Sequence, residues 1–173
     1  MFENIREDWA TYEKDWYRQG LWVMCAYRFG NWRYSVRIPV LRKVLSYIYR
    51  ILKITVQCLT GIDLPCEARV GRRFKIEHFS DIVISGDTVV GDDCVVRNGV
   101  TIGLKRTGVR GAPRIGNRVD IGAGAKILGD ITIGDDVAIG ANAVVLNDVP
   151  SNSIAVGIPA KIKSRTQRLD VAS

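Results

Sequence analysis

The chain has 173 residues, 47% hydrophobic and 25% charged, which is enough apolar content for a packed domain and excludes a disordered chain. Its charge of +7 is uneven: residues 1–60 hold ten Lys/Arg and five Asp/Glu, residues 61–160 eleven and twelve, and residues 161–173 four and one. A neutral middle with basic ends, and no recognition module, excludes an ordinary nucleic-acid binder.

In chain order, residues 3–18 and 21–34 are predicted as two short helices rich in Trp and Tyr. A third helix is predicted over 39–59. Val40, Leu41, Val44, Leu45, Ile48, Ile51, Leu52, Val56 and Leu59 follow a helical stripe, with Pro39 at its start and Gly61 at its end. Residues 1–60 are thus a helical region expected to cover the open end of the domain C-terminal to it. The third helix faces solvent or a neighbouring subunit, and the alternative is contact of its basic face with an anionic membrane. The most apolar window, 40–59, carries Arg42, Lys43, Arg50 and Lys53, so no membrane-crossing helix is expected. Residues 1–9 lack the apolar stretch of a secretory signal, and Cys25, Cys58, Cys66 and Cys94 match no disulfide or zinc spacing. The cysteines read as reduced, mostly buried and cytosolic, and no metal is expected.

From Val70 onward an aliphatic residue recurs every six positions: Val70 and Ile76; Ile84, Val90, Val96 and Ile102; Ile115, Ile121, Ile127, Ile133, Ile139 and Val145. Six residues turn an α-helix by about 600°, so such a row would wander around it. A solenoid keeps the row in line. Each unit is a short strand and a corner, with the aliphatic inward and Gly, Asn or Asp at corners where positive φ is needed, as at Asp92-Asp93, Gly116-Asn117 and Asp135-Asp136. A second small or apolar residue recurs at Val119, Ala125, Ile131, Val137, Ala143 and Val149. The fold class is therefore mainly β: a parallel β-helix over residues 61–162 behind a short helical region, with residues 163–173 as a tail.

The register breaks twice. Ile76 to Ile84 is a step of eight, around Glu77, His78, Phe79, Ser80 and Asp81; Ile102 to Ile115 is a step of thirteen, two units plus one residue, with 104–114 an extruded loop. Solenoids carry insertions on the working face, and the first break holds the only histidine of the chain.

Several motifs resemble the hexapeptide-repeat acyltransferases, specifically the serine acetyltransferase branch. They are Tyr-Arg-Phe-Gly-Asn-Trp at 27–32, Thr-Gly-Ile-Asp at 60–63, Val-Gly-Arg-Arg-Phe-Lys-Ile-Glu-His at 70–78, Gly-Val-Thr-Ile-Gly at 99–103, Ile-Gly-Ala-Gly-Ala-Lys-Ile-Leu-Gly at 121–129 and Val-Gly-Ile-Pro-Ala-Lys-Ile at 156–162. The resemblance implies a left-handed β-helix, a homotrimer with sites between subunits, and acetyl-CoA as co-substrate. It implies His78 as catalytic base and Asp63, fifteen residues upstream, as its orienter. Ala123 and Ala141 match small positions along the CoA groove and Gly103 a glycine near the thioester; Lys105 and Lys161 are candidates for the CoA phosphates, as are Arg106, Arg110, Arg114 and Lys163, with a solvated basic surface as the alternative for each. Asp15 and Glu77 match carboxylates that face the serine.

The sequence departs from the branch at the acceptor. Gly103-Leu104-Lys105-Arg106 stands where the family reads Gly-Gly-Thr-Gly, and Gly111-Ala112-Pro113 where it reads Arg-His-Pro, whose Arg and His hold the serine. A free amino acid would lose the partner of its carboxylate, a charge-assisted bond worth about 1.5–3 kcal/mol. A sugar hydroxyl of a surface-polysaccharide precursor is the expected acceptor, reached at the inner membrane face by a cytoplasmic enzyme. Serine O-acetylation, N-acetylation of an amino sugar and a non-catalytic β-helix scaffold stay open. The tail lacks the terminal isoleucine that docks the branch into its sulfhydrylase partner, so that complex is not expected.

Overall fold

The computed structural model describes residues 2–106, 108 and 111–165. Three helices, α1 (Phe2–Thr11), α2 (Gln19–Trp32) and α3 (Pro39–Thr60), precede fifteen short strands. The strands stack on three faces. The first holds β1 (Ile62–Asp63), β4 (Ile82–Ile84), β7 (Thr101–Gly103), β10 (Lys126–Leu128) and β13 (Val144–Val145); the second holds β2 (Arg69–Val70), β5 (Val89–Val90), β8 (Arg114–Ile115) and β11 (Thr132–Ile133). The third holds β3 (Lys75–Ile76), β6 (Val95–Val96), β9 (Asp120–Ile121), β12 (Ala138–Ile139), β14 (Ser153–Val156) and β15 (Lys161–Ser164). The chain visits the faces in turn, and every pairing between coils is parallel; only β15 folds back antiparallel on β14. This is a three-sided parallel β-helix.

All twelve repeating aliphatics are buried and stack by register. Val70, Val90, Ile115 and Ile133 form one column and Ile76, Val96, Ile121 and Ile139 another. The step of eight adds two residues to the corner between β3 and β4. The step of thirteen does not span two units, as the spacing suggests. Ile102 lies on the first face and Ile115 on the second, so the chain advances one corner and the step holds seven residues more than one unit.

The corner glycines differ from expectation. Those after the aliphatic are there for close approach between coils: a Cβ on Gly71 would lie 2.5 Å from the Gly91 backbone, and one on Gly91 2.6 Å from the Gly116 carbonyl. Positive φ falls two residues later, on Arg73, Asp93, Arg118 and Asp136. The residues between them carry a ladder: the backbone N–H groups of Arg72, Asp92 and Asn117 donate to the side chains of Asp92, Asn117 and Asp135 one coil on, at 2.7–2.9 Å. The Arg72 N–H holds the Asp92 carboxyl below the usual carboxylate range, and the Arg73 and Arg118 guanidinium groups do the same for Asp93 and Asp136.

The open first coil would leave strand-edge groups without partners. Side chains of the helical region satisfy them. The Tyr12 hydroxyl accepts from Ile76 N at 2.8 Å, Tyr27 from Val70 N at 3.0 Å and Tyr49 from Cys66 N at 3.1 Å. Arg28 donates to the carbonyls of Val70 (3.0 Å) and Gly71 (2.6 Å) while paired with buried Asp8 at 2.9 Å. Capping explains why α1 stops at Thr11 rather than running to 18. Tyr12 must leave the helix to reach the coil, and Glu13 and Lys14 take positive φ to turn the chain. α2 runs from Gln19 to Trp32, close to expectation, and a 3₁₀ turn, Arg33–Ser35, comes after it. Gly61 ends α3 in the left-handed conformation at φ 68.

All four cysteines are free; Cys66 and Cys94 are buried, Cys25 half-buried and Cys58 exposed, so burial covers fewer of them than expected. Burial pushes the Cys94 thiol up to about 11.

Thr88 and Ser153 are polar residues at inward positions. Thr88 is fully buried, and its hydroxyl has no partner among the described residues. An unpaired buried hydroxyl costs on the order of 1–3 kcal/mol. Thr88→Val, equal in shape, is expected to raise the melting temperature by roughly 2–4 °C per kcal/mol gained. Circular dichroism melts check this; an unchanged or lower midpoint would mean that the hydroxyl is satisfied.

Candidate functional site

His78 sits where the two extra residues enter. To fit them, three residues of the corner take positive φ: His78 at 59°, Ser80 at 105° and Asp81 at 55°. Left-handed backbone costs an L-residue roughly 1–2 kcal/mol, so the corner is strained and held by its surroundings. Gly61 packs on it: a Cβ there would lie 3.3 Å from Asp81 N and 3.4 Å from Ser80 Cα. The imidazole is exposed, and it opens on a cleft of about 680 Å³. Tyr12, Arg18, Gln19, Glu77, Phe79 and Asn98 also line this cleft.

From this corner one edge of the prism rises coil by coil. Gly99 N donates to Ser80 O at 3.0 Å, Gly124 N to Asn98 O at 2.8 Å and Asn142 N to Ala123 O at 2.8 Å. Ala123 and Ala141 therefore stand on the edge above His78, two and three coils on. The turn before Lys161 crosses the same edge at the top, where Ala160 N donates to Val144 O at 2.8 Å. Gly103 and Lys105 lie across the first face at the next corner, where Gly129 N donates to Gly103 O at 2.9 Å. Within one chain they are separated from the His78 edge by the width of that face. Arg110 lies outside the described residues.

Asp63 begins the first face, and its Oδ1 is 3.1 Å from Lys53 Nζ, an ionic approach without directed hydrogen-bond geometry. Among the described residues no hydrogen bond joins it to His78. Glu77 borders the cleft and is neutralised by Lys75 (3.3 Å) and Arg97 (3.2 Å). The hydrogen bond of Arg97 to Asp120 raises the guanidinium pKa further. Asp15 does not line the cleft; it pairs at 3.3 Å with Arg18, which does. Burial pushes the Tyr12 phenol well above its usual range, so it stays neutral.

Arg18, Gln19 and Asn98 are cleft residues that the sequence reading missed. The first two come from the helical region, some sixty residues before His78, and no local signal marks them. Lys126 was also missed. Its ammonium donates to Gly99 O at 2.6 Å and to Thr101 Oγ1 at 3.0 Å, which fixes a cation beside the His78 edge. Among the described residues no cluster of three or more His, Cys, Asp or Glu is placed to hold a metal ion.

An accessible imidazole in an open cleft can carry a proton in acyl transfer. The bacterial transferase hexapeptide model (six repeats) matches residues 112–147. A serine acetyltransferase of Synechococcus elongatus is 38% identical, covering 96% of this chain and 70% of that protein. A putative colanic acid biosynthesis acetyltransferase, WcaB, of Escherichia coli K12 is 37% identical, covering 94% of this chain and 98% of that protein. The crystal structure of Brucella abortus S19 serine acetyltransferase with Coenzyme A superposes with a TM-score of 0.81 at 28% identity, covering 95% of this chain and 68% of that one. The chain belongs to the hexapeptide-repeat acetyltransferases, in the branch that includes the serine acetyltransferases and WcaB, and is an acyltransferase on a left-handed parallel β-helix.

Proposed function

We propose that the chain transfers the acetyl group of acetyl-CoA to a hydroxyl of a sugar in a surface-polysaccharide precursor, with His78 as the base. The observation that carries this is the His78 corner at the foot of an edge whose upper coils present Ala123 and Ala141. Small side chains there leave room for the pantetheine arm of CoA against the backbone, and Lys161 at the top suits a phosphate. His78 takes the hydroxyl proton as oxygen attacks the thioester carbonyl. The carbon–sulfur bond then breaks, and the same proton passes to the departing sulfur. Asp63 serves as the orienter of the imidazole, released from Lys53 when the site is filled.

Gly103 and Lys105 sit on another corner, so they complete a site only on a neighbouring copy. This supports a homotrimer with acetyl-CoA between subunits. On this reading the enzyme is cytoplasmic, works at the inner membrane face, uses no metal and forms no sulfhydrylase complex.

Two observations favour the sugar. Glu77 is neutralised by Lys75 and Arg97, and Gly111 and buried Ala112 stand where the serine branch has an Arg and a His. The cleft offers an exposed aromatic ring, Phe79, with Gln19, Glu77 and Asn98, groups suited to a pyranose. The match to WcaB over nearly all of both chains adds to this. Serine O-acetylation is the second reading, favoured by the likeness to serine acetyltransferases. Thiol release from acetyl-CoA, followed with L-serine and with a panel of glycans, separates them. Turnover is expected with a glycan and not with serine. Brisk serine turnover overturns the sugar reading; failure to bind acetyl-CoA overturns both.

A further inference from the structure

The largest surface feature left unexplained is α3. Its 22 residues make a rod about 33 Å long. Only Tyr49, Val56 and Thr60 of it are buried. Val40, Val44, Tyr47, Ile48, Ile51 and Ile54 are exposed, Val40 at 72% and Ile51 at 68%, and at 100° per residue they fall within an arc of about 120°. An apolar stripe of this length, with Thr55 the one hydroxyl-bearing aliphatic on it, is uncommon on a soluble surface.

The stripe has a cationic margin. Arg42, Lys43 and Arg50, with Ser46 and Tyr47, line a shallow cavity of about 330 Å³ along one side of it. The helix carries four Lys/Arg and no Asp or Glu. Of those four, only Lys53 is in an ion pair among the described residues. A second α3 laid antiparallel on the stripe would bring two such margins together, and like charges repel. An anionic surface meets both features at once. Lipid tails take the stripe, and headgroup phosphates enter the cavity. No helix among the described residues is long and apolar enough to cross a membrane, so the helix would lie on the bilayer rather than span it.

We propose that α3 docks the enzyme on an anionic bilayer, with Val44, Ile48 and Ile51 in the acyl boundary and Arg42, Lys43 and Arg50 at the phosphates. The proposal does not rest on the acceptor. Flotation of the full chain with phosphatidylcholine vesicles, with and without phosphatidylglycerol, tests it. Binding is expected only with phosphatidylglycerol and weakens in high salt. Lys43→Gln with Arg50→Gln is expected to weaken it roughly thirty-fold. Val44→Ser with Ile51→Ser, which leaves the charge unchanged, should cost about tenfold or more. Cys58, exposed and on the same arc, allows a measurement without substituting any residue of the helix: an environment-sensitive label there should shift to the blue with anionic vesicles. Absence of anionic binding, equal binding by the variants or an unshifted label overturns the proposal. A fall in native oligomer mass on Val44→Ser/Ile51→Ser, without vesicle binding by the wild type, assigns the face to another copy of the chain.

Discussion

His78→Asn is expected to lower the rate of acetyl transfer by about 10²–10⁴-fold, the usual worth of a positioned general base. Asparagine suits the test better than alanine. The residue sits at φ 59, a conformation asparagine tolerates and alanine does not, so the corner keeps its shape. Because the imidazole is exposed and makes no hydrogen bond among the described residues, its removal should leave stability almost unchanged. If acetyl-CoA lies along the Ala123 and Ala141 coils, as proposed, the substitution does not touch its site, so its KM should hold while kcat falls. Thiol release gives the rate, and circular dichroism melts check the fold. A variant within tenfold of wild-type kcat would place the base elsewhere. A raised KM at constant kcat would make His78 a binding residue.

The repeat is legible because its cause is simple. One aliphatic per strand must point inward, and all twelve do. Spacing cannot say why a small residue stands at a given corner. Gly71 and Gly91 look like turn residues, but they are small because the next coil's backbone passes there, while Arg73 and Asp93 take the positive φ. Nor can counting locate the thirteen-residue step, since Ile102 and Ile115 are two units apart by arithmetic and one face apart in space. The α1 boundary escapes local reasoning because a long-range demand, Tyr12 on Ile76 N, overrides helix preference. At the site the same division holds. His78 is visible as a lone histidine at an interrupted register. Arg18 and Gln19 are not, because the fold brings them from another region. The exposure of α3 agrees with its reading as a helix turned to solvent or a neighbouring subunit, but how narrow a part of its stripe the core takes shows only in the fold.

Arg28→Met is expected to destabilise the protein by about 3–5 kcal/mol, the usual cost of removing one partner of a buried ion pair. Asp8, 1% exposed, would be left without its cation, and the Val70 and Gly71 carbonyls at the open coil would lose their donor. Denaturant unfolding monitored by tryptophan fluorescence measures the loss. Asp8→Leu added to Arg28→Met is expected to recover part of it, because the uncompensated charge is gone, but not all, because the coil edge stays unpaired. Full recovery would reduce Arg28 to a partner for Asp8. A loss of under about 1 kcal/mol for Arg28→Met alone would mean that water serves the carbonyls as well as the guanidinium does. The variant should also self-associate as it unfolds. An uncovered first coil is an exposed parallel edge, and a second chain can add to it as the next coil would. Light scattering at temperatures below the main transition reads that directly. Wild-type protein should stay clear there, because Tyr12, Tyr27, Tyr49 and Arg28 together leave that edge little to pair with.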